Sequence, residues 1–262
     1  MNILCIGAHP DDIELGCGGT LIKAARDGHR IFMYVLTRGG ASGDPIQRTR
    51  ELMASANYVG AEKLWADSFE DAKMAVSSKL INHLEYFIHQ ANPEVIFTHP
   101  LDDYHHDHRA IAEATLEASR HAQNVLAYEI PITKKFTPHV YYDISDVIDE
   151  KVELIKVFQS QRNKLFTRSN AVKGLAEYRA FQNRLNGSFA AVESFEVLKM
   201  CLGKDFQLTK LPHPPLPESV VQDVELAEIF EYEPGVIHRK SDIGSETDAR
   251  LAGMFQAGSI AK

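Results

Sequence analysis

At 262 residues the chain suits one large domain or two small ones, taking roughly 100–200 residues per domain as a guide. Its 44% apolar and 24% charged content is that of an ordinary soluble globular protein, and a formal charge of −8 with no basic, aromatic-interleaved run argues against a nucleic-acid partner. No stretch approaches about 18 uninterrupted apolar residues and no charged n-region precedes the first apolar run, so neither a membrane span nor a secretory signal is expected.

Residues 2–7 form a short apolar run that reads as a strand. Gly18-Gly19-Thr20 is expected to open a helix with Leu21, Ile22 and Ala25 on its apolar face, closed by Gly28. Ile31 to Leu36 is nearly continuously apolar and rich in β-branched and aromatic residues, as a buried parallel strand should be. A glycine-rich loop from Arg38 to Gly43 leads into a helix from about Ile46 to Val59, and Lys63 to Ala66 reads as a third strand. Leu80, Ile81, Leu84, Phe87 and Ile88 recur at helical spacing within a helix over 76–91. A strand over 94–98 and a helix from Arg109 to Ser119 follow. Beyond them a strand pair is expected near 125–130 and 138–142, then helices at about 146–159 and 170–185.

Strand and helix alternating across short loops means βαβ units. The expected fold is α/β, a Rossmann-like, mostly parallel sheet flanked by helices on both faces, with a C-terminal extension. Pro212, Pro214, Pro215 and Pro217 break regular structure, and Asp223 to Glu233 is strongly acidic. A folded domain over 1–204 and an acidic, proline-broken arm over 205–262 are therefore expected. Cys5, Cys17 and Cys201 are odd in number and show no paired spacing, which predicts free thiols and a reducing cytoplasm. The Asn186-Gly187-Ser188 sequon is then accidental.

Two clusters carry chemistry. Ala8-His9-Pro10-Asp11-Asp12 follows the first predicted strand, and His99-Pro100-Leu101-Asp102-Asp103-Tyr104-His105-His106-Asp107-His108 follows the strand at 94–98. In an open parallel sheet both strand ends meet one edge, where residues far apart in sequence converge. His9 and Asp12 are three apart, and His105 and His108 repeat that spacing. A ligand from the second cluster would complete a two-histidine, one-carboxylate set with open positions, the form of a catalytic zinc site. Asp11 is the spare carboxylate and the natural base for a metal-activated water. His105 or His106, whichever is not bound to metal, would stabilise the oxyanion or protonate the leaving group.

Either cluster alone has an ordinary explanation. His-Pro-Asp at a strand end is usually a turn, His-x-x-His occurs by accident on helix surfaces, and Asp102 and Asp103 read as solvated loop. Their joint placement after two parallel strands favours the site. His29, His83, His89, His121, His139, His213 and His238 have no acidic neighbours at useful spacing and read as structural or surface residues.

The stretch Ala8-His9-Pro10-Asp11-Asp12-Ile13-Glu14 with Gly18-Gly19-Thr20, together with His105-His106-Asp107-His108, resembles the signatures of the LmbE/PIG-L family. That resemblance spans about residues 2–200. Its members are zinc-dependent N-deacetylases acting on N-acetylglucosamine-type sugars. The resemblance implies His9, Asp12 and His108 as zinc ligands, Asp11 as general base, His105 as the electrophilic or acidic histidine and Asp107 as its partner. Arg48-Thr49-Arg50-Glu51 matches the family's arginine–glutamate pair opening the second helix, which implies Arg48 as a substrate contact. Val192-Glu193-Ser194-Phe195 is similar to a late, structural Ala-Glu-x-Phe segment. His106 stands where proline is common, and the arm beyond 205 is outside the family pattern. The expected partner is an N-acetylated amino-sugar conjugate, with no nucleic acid and no membrane, in a cytoplasmic homo-oligomer. The ligand set also tolerates Fe2+ in place of Zn2+.

Three other classes fit these residues less well. A nucleotide-cofactor enzyme needs glycines for pyrophosphate in the first turn, where Asp11 and Asp12 place two negative charges instead. A non-haem iron enzyme shares the two-histidine, one-carboxylate set, but usually as His-x-Asp on a β-sandwich. A non-catalytic metal module would need neither Asp11 nor His105.

Overall fold

The computed structural model describes residues 1–183 and 190–201. The arm at 205–262 and the sequon lie outside them. In chain order the elements are β1 (Asn2–Gly7), α1 (Asp12–Arg26), β2 (Arg30–Thr37), α2 (Pro45–Val59), β3 (Lys63–Phe69), α3 (Ser78–Ala91), β4 (Val95–Thr98), α4 (His106–Ala118), β5 (Val125–Tyr128), β6 (Val140–Asp143), α5 (Ile148–Lys156), α6 (Ser169–Gln182) and β7 (Val192–Lys199).

The strands form one sheet in the order β3-β2-β1-β4-β5-β7-β6. Five are parallel, and β7 runs antiparallel to both its neighbours. Strand side chains alternate between the faces, as the period of two requires. Ile3, Cys5, Ile31, Met33 and Val35 pack with α1, α2, α5 and α6 on one side. Leu4, Ile6, Phe32, Tyr34 and Leu36 pack with α3 and α4 on the other. Helices on both faces are as the alternation predicts.

From β1 the chain moves outward through β2 and β3, then returns to place β4 on the other side of β1. This reversal makes the crevice past β1 and β4 the place where such sheets bind ligands. Both His-Asp clusters lie there.

Three expectations change. Helix α1 begins at Asp12, six residues before Gly18, although its glycines disfavour helix. Close packing outweighs that propensity: a Cβ on Gly16 would meet the Tyr128 ring at 2.2 Å. The strands at 125–128 and 140–143 do not pair with each other, because β7 lies between them. Strand β7 carries Glu193, Ser194, Glu196 and Lys199, which hide an apolar period. Its Glu193 is buried and accepts from the backbone N–H of Gly19 (2.8 Å) and Thr20 (2.6 Å), beside the non-helical Cys17 of α1. Lys151 pairs with it at 2.6 Å. The late Glu-containing segment thus supports the first motif from beneath.

Candidate metal centre

The chain leaves β1 at Gly7, so His9 to Asp12 form the turn into α1. Asp11 caps that helix at φ 111°, a left-handed conformation that is costly for a residue with a Cβ. Such strain is held by its surroundings and concentrates at functional sites. On the other side of the crevice His105 caps α4, and His108 lies in its first turn.

Three donor atoms converge. His9 Nδ1 is 3.2 Å from Asp12 Oδ2, and His108 Nε2 is 3.4 Å from each of them. Ligands about 2.0–2.1 Å from a tetrahedral centre stand about 3.3–3.4 Å apart. The triangle therefore fits one small divalent ion, with the remaining position open. His9, Asp12 and His108 are all buried.

Electrostatics agree with the geometry. Burial opposes charge on His9, yet Asp107, Asp12 and Asp71 outweigh it and push the imidazole pKa up to about 12. His108 is likewise pushed up to about 9 by Asp12 and Asp103 against burial. The carboxylates thus favour positive charge where these donor atoms meet, as a site able to hold a divalent cation does.

Around the triangle each residue has a distinct place. Asp11 is buried, and Arg48 Nη2 lies 3.2 Å from its Oδ1. Burial and the Asp12 charge push Asp11 up to about 7, with Arg48 and His9 opposing. The His105 ring is 4.7 Å from both the His9 and the His108 rings. Its Nδ1 accepts the backbone N–H of Asp107 at 3.3 Å. His106 is half exposed on the outer side.

Two expected roles look different in the structure. Asp107, expected to partner His105, has a carboxylate oxygen within 4.8 Å of ring nitrogens of both His105 and His9, while its hydrogen bonds come from the N–H of Ala72 (2.8 Å) and Met74 (2.9 Å). It faces His9 (3.3 Å) and His106 (3.1 Å). Arg48, expected as a substrate contact, is only 2% exposed and donates to the carbonyls of Pro10 and Gly39 and to Ser42 Oγ. It holds the turn that carries Asp11.

Other members of the site were not assigned from sequence. His99 is fully buried and stacks on His108 at 3.8 Å. Its Nε2 accepts the Ala8 N–H at 2.9 Å, and burial with the His108 charge brings its pKa down to about 4. It is a neutral shelf behind the ligands. Asp103 Oδ2 is 3.3 Å from His108 Nδ1, and Asp71 Oδ1 is 2.9 Å from His9 Nε2. His99 and Asp103 lie inside the second cluster, so their sequence position was the available signal. Asp71 carried none. His83 also has an acidic partner, Asp67 Oδ2 at 2.9 Å, which sequence spacing did not suggest.

Comparison with known proteins places the chain among deacetylases. The family model described as PIG-L, GlcNAc-PI de-N-acetylase, matches residues 4–119. The uncharacterized deacetylase YaiS of Escherichia coli K12 is 34% identical over 153 residues, which are 55% of this chain and 83% of that protein. Diacetylchitobiose deacetylase of Thermococcus kodakarensis is 27% identical over 188 residues, 61% of this chain and 70% of that one. Among solved structures, the 4-carboxy-2-hydroxymuconate hydratase GalB of Pseudomonas putida KT2440 superposes with a TM-score of 0.68 at 20% identity, covering 78% of this chain and 99% of that one.

Proposed function

The chain belongs to the PIG-L (LmbE-like) family, and on that premise we propose that it is a zinc-dependent hydrolase removing the acetyl group from the 2-acetamido group of an N-acetylglucosamine-type sugar conjugate. The supporting observation is the triangle of His9, Asp12 and His108, with Asp11 buried beside it and outside it. Zinc or iron(II) in an open three-ligand site acidifies water and polarises a carbonyl oxygen, so that water can attack an amide at neutral pH.

The protein's own groups supply the remaining chemistry. Asp11, buried beside the triangle with Arg48 against it, takes the proton that water loses as its oxygen bonds to the amide carbon. The same carboxyl then gives that proton to the sugar nitrogen as the C–N bond breaks, leaving acetate and a free amine. His105 acts as electrophile. Its Nδ1 accepts from the Asp107 N–H, so the ring proton sits on Nε2. Burial and the charges on His108 and His9 lower its pKa, which keeps it neutral and able to donate to the developing oxyanion. Asp107 anchors this end of α4, and Arg48 acts on the base rather than on the sugar.

GalB shares the fold, and at 20% identity the likeness carries the fold alone. Amide cleavage is favoured by the deacetylases that match in sequence. A cytoplasmic setting fits the free thiols of Cys5, Cys17 and Cys201. Among the described residues no helix is long and apolar enough to cross a membrane.

The test is acetate release from a panel of N-acetylated amino-sugar conjugates, with zinc-loaded protein and Asp11→Ala as the matched control. Release that disappears in the variant supports the assignment. No release from any member by metal-loaded protein contradicts the sugar substrate.

A further inference from the structure

We propose that Asp71 is a positioning residue of the metal centre, fixing which nitrogen of His9 faces the ion and tying that ligand to the glycine-rich loop over the site. The proposal rests on His9 being a metal ligand, as argued above.

His9 Nδ1 faces Asp12 Oδ2 and His108 Nε2 in the triangle, so with Nδ1 as the ligand its Nε2 carries the ring proton and needs an acceptor. Two carboxylates face that nitrogen, Asp71 Oδ1 at 2.9 Å and Asp107 Oδ2 at 3.3 Å. Both oxygens of Asp107 already receive backbone N–H groups from Ala72 and Met74. Asp71 Oδ1 is the nearer oxygen and, among the described residues, has no such competing backbone donor. A ligating histidine held by a carboxylate on its far nitrogen is fixed in tautomer and ring orientation, and is a more basic ligand.

The other oxygen of Asp71 gives the residue its second role. Oδ2 accepts the backbone N–H of Ala41 at 2.8 Å. Ala41 lies in the loop whose Gly39 carbonyl and Ser42 hydroxyl accept from Arg48, and Arg48 stands against Asp11. One carboxylate therefore bridges a ligand on the β1–α1 turn and the loop that sets the base. The segment is shaped for this: Ala72, next in sequence, is left-handed at φ 61°, where glycine is the usual residue. That turn aims the Ala72 N–H at Asp107 while Asp71 faces His9.

The experiment measures zinc affinity, by competition with a chromogenic chelator, for the wild-type protein, Asp71→Ala and Asp71→Asn. Melting curves of the three metal-free proteins show that each is folded. Asp71→Ala is expected to bind zinc about 10–100-fold more weakly. Asp71→Asn, which keeps a neutral acceptor of the same shape, should recover most of that loss. With cobalt(II) in place of zinc, the visible absorption of Asp71→Ala should differ from wild type, reporting a turned His9 ring.

Wild-type affinity and spectrum in a folded Asp71→Ala protein would overturn the proposal while leaving the proposed function intact. If KM alone rose in that variant, Asp71 would be assigned to the substrate instead. Failure of the wild-type protein to bind zinc or cobalt at all would overturn the metal centre itself, and Asp71's role with it.

Discussion

The Nη2 of Arg48 lies 3.2 Å from Oδ1 of Asp11, with both side chains buried. The guanidinium lowers the pKa of a carboxyl that burial and Asp12 push up to about 7. A base acts only when deprotonated, and a bound cation would hold Asp11 below its metal-free value, so activity should fall on an acid limb lying below about pH 7. Arg48→Gln removes the opposing charge and should move the acid limb of kcat to higher pH. Each unit of movement lowers the rate below the limb about tenfold. KM should change little. A raised KM with an unmoved limb would make Arg48 a substrate contact after all.

Glu14, in the first turn of α1, provides a pH test of stability. Burial raises its pKa from 4.5 to about 7, against the hydrogen bond from Ser55. A carboxyl raised on folding stabilises the protein fully below its unfolded pKa. That contribution is lost as pH rises through about 7. The loss between pH 4 and pH 8 should be about 3 kcal/mol in metal-free protein. Glu14→Gln should remove it, so denaturant midpoints of variant and wild type should converge at low pH and separate at high pH. Parallel curves across that range would contradict the assignment.

Gly16 tests the packing beneath the site. A Cβ there would enter the Tyr128 ring at 2.2 Å, and Tyr128 is fully buried with its hydroxyl on the Ile6 carbonyl and 3.1 Å from His99. Gly16→Ala should cost about 1–3 kcal/mol, read as a lower melting temperature. An unchanged melting temperature would mean that the close approach of α1 to β5 is not tight.

How much of this was legible in the sequence follows from distance along the chain. The strand and helix alternation was clear because each element carries its own apolar signal, a near-continuous run in the strand at Ile31 to Leu36 and helical spacing at Leu80, Leu84, Phe87 and Ile88. The meeting of His9, Asp12 and His108 was legible because each sits in a dense cluster after a strand, and the topology brings the clusters together. Strand β7 was missed because Glu193 and Ser194 are polar yet buried, satisfied by partners more than 40 residues away. Asp71 was missed because nothing near it in sequence shows that it faces His9, 62 positions earlier. Arg48 is implied as a substrate contact by the family's arginine–glutamate pair, and its ordinary alternative is an exposed helix-surface charge. Only the fold shows that it turns inward to Pro10 and Asp11.

The central claim is a metal centre of His9, Asp12 and His108 served by Asp11 as a separate base. Metal content and acetate release, measured on the same preparations of wild type, Asp11→Asn and Asp12→Asn, test it most directly. The account predicts that Asp11→Asn retains its metal and loses turnover, while Asp12→Asn loses both. Wild-type turnover in Asp11→Asn, or undiminished metal in Asp12→Asn, would contradict it.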